Sequence, residues 1–166
     1  MELTFRKADM EDLDGICAMV KASVARMHEE GIFQWDDEYP SREVFAEDIE
    51  KGELFIGSLE GRMAVIYVLN QEPHEDYAKG NWQYDEPYFV VHRLCVSVDF
   101  QHQGIARRAL LYIEDELRKN GIYAIRLDTF TKNPFAMRLY ESLDYDKVGK
   151  VEWLPRGMFQ LFEKHL

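Results

Sequence analysis

The chain has no long apolar run, no leader-like start and only two cysteines among its 166 residues. No segment approaches the ~20 apolar residues that a membrane-spanning helix needs, so no membrane association is expected. The start Met1-Glu2-Leu3 lacks a charged-then-apolar pattern, so no signal peptide is expected. Cys17 and Cys95 both lie in apolar patterns, which favours buried free thiols, no disulfide framework and a reducing cytoplasm.

Basic side chains are also scarce, since 20 Lys and Arg stand against 31 Asp and Glu, a net charge of −11. Residues 1–90 carry 8 basic and 21 acidic side chains, whereas residues 91–166 carry 12 and 10. This acidic excess repels phosphate backbones and excludes nucleic acid as an expected partner, but it suits cationic substrates. Any bound anion is expected on the C-terminal half. The hydrophobic fraction of 46% is enough for a buried core, and a single domain over 1–166 is predicted.

Hydrophobic periodicity predicts a mixed α/β fold. The predicted strands are 4–7, 54–59, 63–70, 88–98, 124–130, 145–152 and 158–163. The predicted helices run from a cap at Asp9 to near Gly31, from a cap at Ser41 to Gly52, and over 101–120 and 134–143. The strand–helix–strand order in the middle implies a parallel strand pair, and the hairpins imply antiparallel neighbours.

Residues 71–87 are polar and are predicted to form a long loop. The loop contains His74, Glu75 and Asp76, which are residue types that bind metals. No second set of ligands lies nearby in the sequence, so a solvated loop is favoured and no metal site is predicted.

The junction between strand 88–98 and the following helix carries the sharpest chemical signal. Gly104 and Ala106 keep side-chain bulk away from the backbone N–H groups of a helix start, which are free to bind an anion such as a diphosphate. Arg107 and Arg108 add positive charge at the same place. The alternative is that Gly104 serves only the geometry of the turn.

A second pattern lies one strand later, at Asn133, Ala136 and Tyr140. Ala136 and Tyr140 are four residues apart and share a helix face, so a small residue leaves a slot beside a phenol that can donate a proton. The alternative is that Tyr140 is a half-buried core aromatic.

Together the two patterns resemble the GNAT superfamily of acetyl-CoA-dependent N-acetyltransferases. Gln101-x-x-Gly104-x-Ala106 is similar to that family's pyrophosphate loop, and Asn133-x-x-Ala136-x-x-Leu139-Tyr140 to its second cofactor block. The resemblance covers essentially the whole chain and is strongest over 88–145. The family usually has Gly where this chain has Asp144, and Asp is one of the few other residues that tolerate the left-handed conformation of such a helix end.

The resemblance implies the GNAT acyltransferase fold: a mixed, mostly antiparallel sheet with a splayed parallel strand pair, flanked by about four helices. It also implies that acetyl-CoA lies between strands 88–98 and 124–130. The residues implied to bind the cofactor are Leu94, Cys95, Val96, Val98, Gln103, Gly104, Ile105, Ala106, Arg107, Arg108, Asn133, Ala136 and Tyr140.

In this family an amine attacks the thioester directly within a ternary complex, which implies Tyr140 as the acid that protonates the thiolate of CoA. A backbone N–H near Val96 is implied to stabilise the developing oxyanion. Cys95 lies in an apolar strand without a base nearby in sequence, which argues against a covalent acyl-enzyme. Two residues are candidates for the base, Asp128 and His92. The alternatives are an ion pair of Asp128 with Arg126 or Arg138, and for His92 a position on the surface or a hydrogen-bonded role in the core.

Substrate recognition in the family implies a role for the loop after the first helix and for the last strands. Here the implied residues are Phe33, Gln34, Trp35 and Tyr39, beside the acids 36–38, with Trp153 and Arg156 as further candidates. Aromatics next to carboxylates suit an ammonium group, although they equally suit a core plug with solvated acids. The acceptor is expected to be a primary amine of a small molecule or peptide. A catalytically silent acyl-CoA-binding module is the alternative function, and homodimers formed through the terminal strands occur in the family.

Overall fold

The computed structural model describes residues 1–166 and contains seven strands and four helices. The strands are β1 (Leu3–Lys7), β2 (Leu54–Leu59), β3 (Arg62–Asn70), β4 (Tyr88–Val96), β5 (Ala124–Phe130), β6 (Asp146–Trp153) and β7 (Gly157–His165). The helices are α1 (Leu13–Glu29), α2 (Arg42–Glu50), α3 (Ile105–Lys119) and α4 (Pro134–Ser142). None of the helices combines the length and the hydropathy that a membrane span requires.

The strands form one sheet in the order β1-β2-β3-β4-β5-β7-β6. β4 and β5 are parallel, whereas β5 and β6 each pair antiparallel with β7. The parallel ladder joins residues 88–90 to 124–126, although β4 continues to Val96 and β5 to Phe130. The predicted mixed α/β fold with a parallel pair is therefore confirmed, and the short ladder is what a splayed pair requires.

The chain divides into two compact units, and the first comprises Met1–Leu69 and Arg93–Leu110. Its core is the apolar stripe of α1 packed with Phe45 and Ile49 of α2 and with β2 and β3. Asp9 accepts a hydrogen bond from Glu11 N, but it caps a short 3₁₀ turn that precedes α1 rather than α1 itself. Ser41 caps α2 as predicted.

The second unit comprises Asn70–His92 and Leu111–Leu166. Phe162 of β7 and Leu127 of β5 are fully buried at its centre. Glu114 is also buried, where it accepts hydrogen bonds from the Tyr145 hydroxyl at 2.9 Å and from Lys164 Nζ at 2.8 Å.

Two sequence predictions need correction. α3 begins at Ile105 and not at Gln101, because positive φ angles at His102 (62°) and Gly104 (71°) form a tight turn that a helix cannot contain. The segment 71–87 is not only a solvated loop, since it contains a 3₁₀ turn, Glu75–Lys79, whose Tyr77 is buried. The left-handed conformation predicted for Asp144 is confirmed by its φ of 67°.

Candidate active site

The turn before α3 is open on its outer side. An added Cβ at Gly104 would meet nothing within 4 Å, and His102 and Gln103, which precede it in the turn, are exposed. The Ile105 side chain packs into the core together with Ala109, so it does not cover the outer side of the turn. The start of α3 thus presents free N–H groups on an unobstructed surface, as a diphosphate site needs.

The two arginines of this turn differ in their surroundings. Arg107 and Arg108 are both exposed. Arg108 Nη2 donates to the carbonyl of Met1 at 2.8 Å, so this guanidinium is partly committed to the N-terminus. Both still add positive charge at the helix start.

The segment of β4 that precedes the turn has an irregular backbone. Arg93 has a φ of 49°, an uncommon conformation for a residue other than glycine. The carbonyl of Val96 accepts a hydrogen bond from Ser23 Oγ at 3.1 Å. Burial raises the pKa of the Cys95 thiol to about 11, which agrees with the expectation that Cys95 is not a nucleophile.

Arg93 is held by a buried ion pair that sequence reasoning missed. Its Nε and Nη2 atoms donate to the two carboxylate oxygens of Asp48 at 2.9 and 2.7 Å, and Nη1 donates to the Tyr39 hydroxyl at 3.2 Å. The available signal was the position of Asp48 between Phe45 and Ile49 on the apolar face of α2, where a carboxylate needs a partner.

The loop predicted to recognise the substrate makes several contacts with itself and with the first unit. Trp35 packs against the core of the first unit, and its carbonyl accepts from His28 Nε2 at 2.8 Å. Asp36 accepts from the backbone of Tyr39 at 2.8 Å. Phe33 is 60% exposed and lies against the His28 ring, and Gln34 is half-buried. Trp35 therefore packs against the core, whereas the side chains of Phe33 and Tyr39 are accessible to solvent.

In the second unit, the Asp128 carboxylate on β5 is in contact with a tyrosine. The Tyr77 hydroxyl donates to Asp128 Oδ2 at 2.5 Å. The carboxylate is half-buried, so it remains near the surface.

Tyr140 lies on the opposite face of β5 from Asp128. The Tyr140 ring packs on Phe162, with centroids 5.5 Å apart, and Phe162 is paired with Leu127. Since side chains alternate along a strand, Asp128 points to the other face from Leu127. Burial raises the pKa of the Tyr140 phenol well above its ordinary value, and the nearby Asp128 carboxylate raises it further.

The other predicted residues of this unit have structural contacts. His92 Nε2 lies 2.8 Å from Asn70 Oδ1, which favours the hydrogen-bonded role. Asn133 caps α4 by accepting from Ala136 N at 3.1 Å. Trp153 Nε1 donates to Asp76 Oδ2 at 2.7 Å, which ties β6 to the 3₁₀ turn. Arg156, which the sequence also suggested for substrate binding, follows Trp153 in the turn before β7.

Tyr77 is the residue of this unit that sequence reasoning missed. It lies in a polar segment without periodicity, and only its proximity to Trp82 indicated apolar contacts. The two rings lie 5.3 Å apart, and Trp82 Nε1 donates to the Tyr77 carbonyl at 2.6 Å.

Comparison with known proteins gives consistent results. The family model described as "Acetyltransferase (GNAT) family" matches residues 21–145. The uncharacterised N-acetyltransferase YesJ of Bacillus subtilis is 25% identical over 160 residues, which is 94% of this chain and 86% of YesJ. A GNAT family acetyltransferase structure from Streptococcus agalactiae superimposes with a TM-score of 0.88 at 25% identity and covers 99% of this chain and 95% of that one.

A more distant structure shares the fold. The PaiA N-acetyltransferase of Thermoplasma acidophilum, solved in complex with coenzyme A, has a TM-score of 0.72 at 17% identity. The match covers 100% of both chains.

Proposed function

The chain belongs to the acetyltransferase (GNAT) family, and from this premise we propose that it transfers the acetyl group of acetyl-CoA to a primary amine of a small molecule or peptide. The family makes it an acyltransferase. The proposal adds the cofactor, the acceptor class and direct attack in a ternary complex. It places this activity in a single domain over 1–166, and the two free cysteines support the reducing cytoplasm as its compartment.

The proposed cofactor contacts follow the family motifs. The diphosphate would bind the amides of residues 103–107, where Gly104 leaves open space, because the Arg108 N–H already donates to the Gly104 carbonyl at 3.0 Å. The pantetheine arm would follow residues 94–98. Asn133, Ala136 and Tyr140 would contact the remainder of the arm and the thioester. Binding of coenzyme A by the distant PaiA structure supports this choice of cofactor.

The observation that carries the mechanism is the placement of Asp128 and Tyr140 on opposite faces of β5. Asp128 takes a proton from the substrate ammonium, directly or through water, and the free amine then attacks the thioester carbonyl. As the carbon–sulfur bond breaks, Tyr140 gives its proton to the departing thiolate, and the second proton that the nitrogen loses returns through solvent to the Tyr140 phenolate. The base Asp128 thus lies on the side from which the amine attacks, and the acid Tyr140 lies on the side toward which the thiolate departs.

A catalytically silent acyl-CoA-binding module is the second candidate. Its support is that Asn133 already serves as a helix cap and His92 already has an amide partner. The Asp128 and Tyr140 pair favours the enzyme, since cofactor binding alone requires neither a phenol nor a carboxylate.

The first test is calorimetric titration with acetyl-CoA, followed by acceptor-dependent thiol release over a panel of amines. Wild type is expected to bind at micromolar concentration. Gly104→Ala is expected to weaken binding about tenfold, because a methyl group would block the approach to the amides. Gly121→Ala is the matched control, since that glycine also has a positive φ (75°) and open space around its Cβ position.

Equal loss of binding in the two glycine variants would mean that backbone strain, and not the diphosphate site, is responsible. Binding without thiol release on any amine would favour the silent module. Absence of binding would overturn the proposed cofactor.

Asp128→Asn is expected to lower kcat/KM for amine acetylation about a hundredfold, because general-base catalysis contributes on this order. The matched variant His92→Gln is expected to retain most activity. Initial rates of thiol release at saturating acetyl-CoA measure both. A hundredfold loss in His92→Gln with a nearly active Asp128→Asn would assign the base to His92 instead.

A further inference from the structure

An open cavity of about 280 Å³ lies beside the 3₁₀ turn of the second unit. Its lining includes the aromatic residues His74, Tyr77, Trp82 and Tyr88, together with Arg126 and Glu75. Its volume is close to the lower end of the range of small-molecule sites, and half of its lining residues are aromatic. Nothing in the family motifs assigns it.

The cavity lies on the face of β5 that carries the proposed base. Arg126 is two residues before Asp128, so the two side chains leave the strand on the same face. Tyr77 lies between the cavity and Asp128, because it belongs to the cavity lining and its hydroxyl donates to Asp128. A ligand in this cavity is therefore on the side from which the amine attacks.

Arg126 does not make the cavity an anion site. Its guanidinium carbon lies 3.7 Å from the Tyr88 ring centroid and 4.3 Å from that of Trp82, so aromatic rings cover it. The fully buried carboxylate of Glu163 lies 3.5 Å from Arg126 Nε and balances its charge. The arginine is thus a fixed part of the wall.

Glu75 gives the cavity its uncompensated charge. Its side chain is exposed and makes no hydrogen bond or salt bridge. Lys79, the only lysine or arginine in residues 71–87, is engaged by Asp76 at 3.2 Å. The cavity therefore has one free carboxylate at Glu75, and a second carboxylate, Asp128, lies beyond Tyr77.

We propose that this cavity binds the distal ammonium and methylene stem of a diamine acceptor, whose other amine is acetylated beside Asp128. This inference rests on the proposed function. The reacting amine gives up a proton before attack, but the distal amine stays charged, and Glu75 is the carboxylate available to it. The tyrosine rings suit the apolar stem between the two nitrogens.

The test compares butane-1,4-diamine with n-butylamine, which differ by one amine. For wild type, kcat/KM is expected to be at least tenfold higher for the diamine, a usual effect of one charge-assisted contact. Glu75→Gln is expected to reduce that ratio to about twofold, the statistical advantage of two amines, with the rate on n-butylamine unchanged. The control Asp85→Asn removes an exposed acid of the same segment that does not line the cavity, and it is expected to keep the wild-type ratio.

Equal kcat/KM values of wild type for butane-1,4-diamine and n-butylamine would overturn the diamine proposal but support the proposed acetyltransferase activity. The same conclusion follows if Glu75→Gln keeps the tenfold ratio, if Asp85→Asn loses it equally, or if only other amines are acetylated. Failure of the proposed function is distinguished by the absence of thiol release with every amine of the panel.

Discussion

Tyr140→Phe is expected to lower kcat for amine acetylation about a thousandfold without weakening acetyl-CoA binding. The variant removes the proposed acid for the departing thiolate, and general-acid catalysis contributes about 10²–10⁴-fold. The ring contacts with Phe162 and Tyr145 are kept. No hydrogen bond of the Tyr140 hydroxyl is lost in the fold, so little change in thermal stability is expected.

Tyr145→Phe is the matched control for this variant. The Tyr145 ring lies 5.8 Å from that of Tyr140, but its hydroxyl donates to the buried carboxylate of Glu114. Its loss leaves Glu114 with one partner fewer, so Tyr145→Phe is expected to lose stability and keep activity. Tyr140→Phe should therefore lower the rate of thiol release and keep the wild-type melting temperature, whereas Tyr145→Phe should keep the rate and lower the melting temperature. Undiminished turnover in Tyr140→Phe would show that another group protonates the thiolate.

The raised pKa of Tyr140 also predicts the alkaline side of the pH profile. An acid catalyst is active only while it is protonated, and burial keeps this phenol protonated above the ordinary tyrosine pKa of about 10. We expect kcat to remain level up to about pH 10 in wild type. A decline centred near pH 9 or 10 would contradict the buried, protonated state.

The fold could be predicted because its signals are local. The apolar stripe of α1, the glycines after α1 and α2, and the alternating strands each specify an element within a short window. The motifs of the proposed cofactor site are equally local, since Gly104 lies in a turn of its own segment and Asn133 caps the helix that follows it. The correction at Gln101 arose because a tight turn and a helix start have similar composition.

The missed residues depend on contacts between distant positions. Tyr77 and Asp128 are 51 residues apart, and Asp48 and Arg93 are 45 residues apart. The sequence shows that Asp128 needs a partner, but two nearby arginines looked equally suitable. Only the three-dimensional placement of the 71–87 segment over β5 selects Tyr77, and the same placement creates the cavity.

Arg93→Ala is expected to lower the free energy of unfolding by about 3–5 kcal/mol, the usual result of leaving one partner of a buried ion pair unpaired. The Asp48 side chain is only 8% exposed and would lose both of its guanidinium hydrogen bonds. Chemical denaturation at neutral pH measures the loss. Arg6→Ala is the matched control, because Arg6 binds Asp12 through two contacts of 2.8 Å but is 54% exposed, and a loss of about 1 kcal/mol or less is expected.

The pH dependence of Arg93→Ala identifies the cause of its instability. Burial raises the pKa of the Asp48 carboxyl, and Arg93 opposes that effect in the native chain. Without Arg93 the carboxyl pKa is raised further in the folded state, so the folded variant binds a proton more tightly than the unfolded chain does. The difference in the free energy of unfolding between wild type and Arg93→Ala should therefore be largest at neutral pH and become smaller as the pH falls toward 5. The double variant Asp48→Leu with Arg93→Ala removes the stranded charge and should recover part of the loss at pH 7. A deficit that is independent of pH and persists in the double variant would assign the effect to the backbone at position 93 instead of to the buried charge.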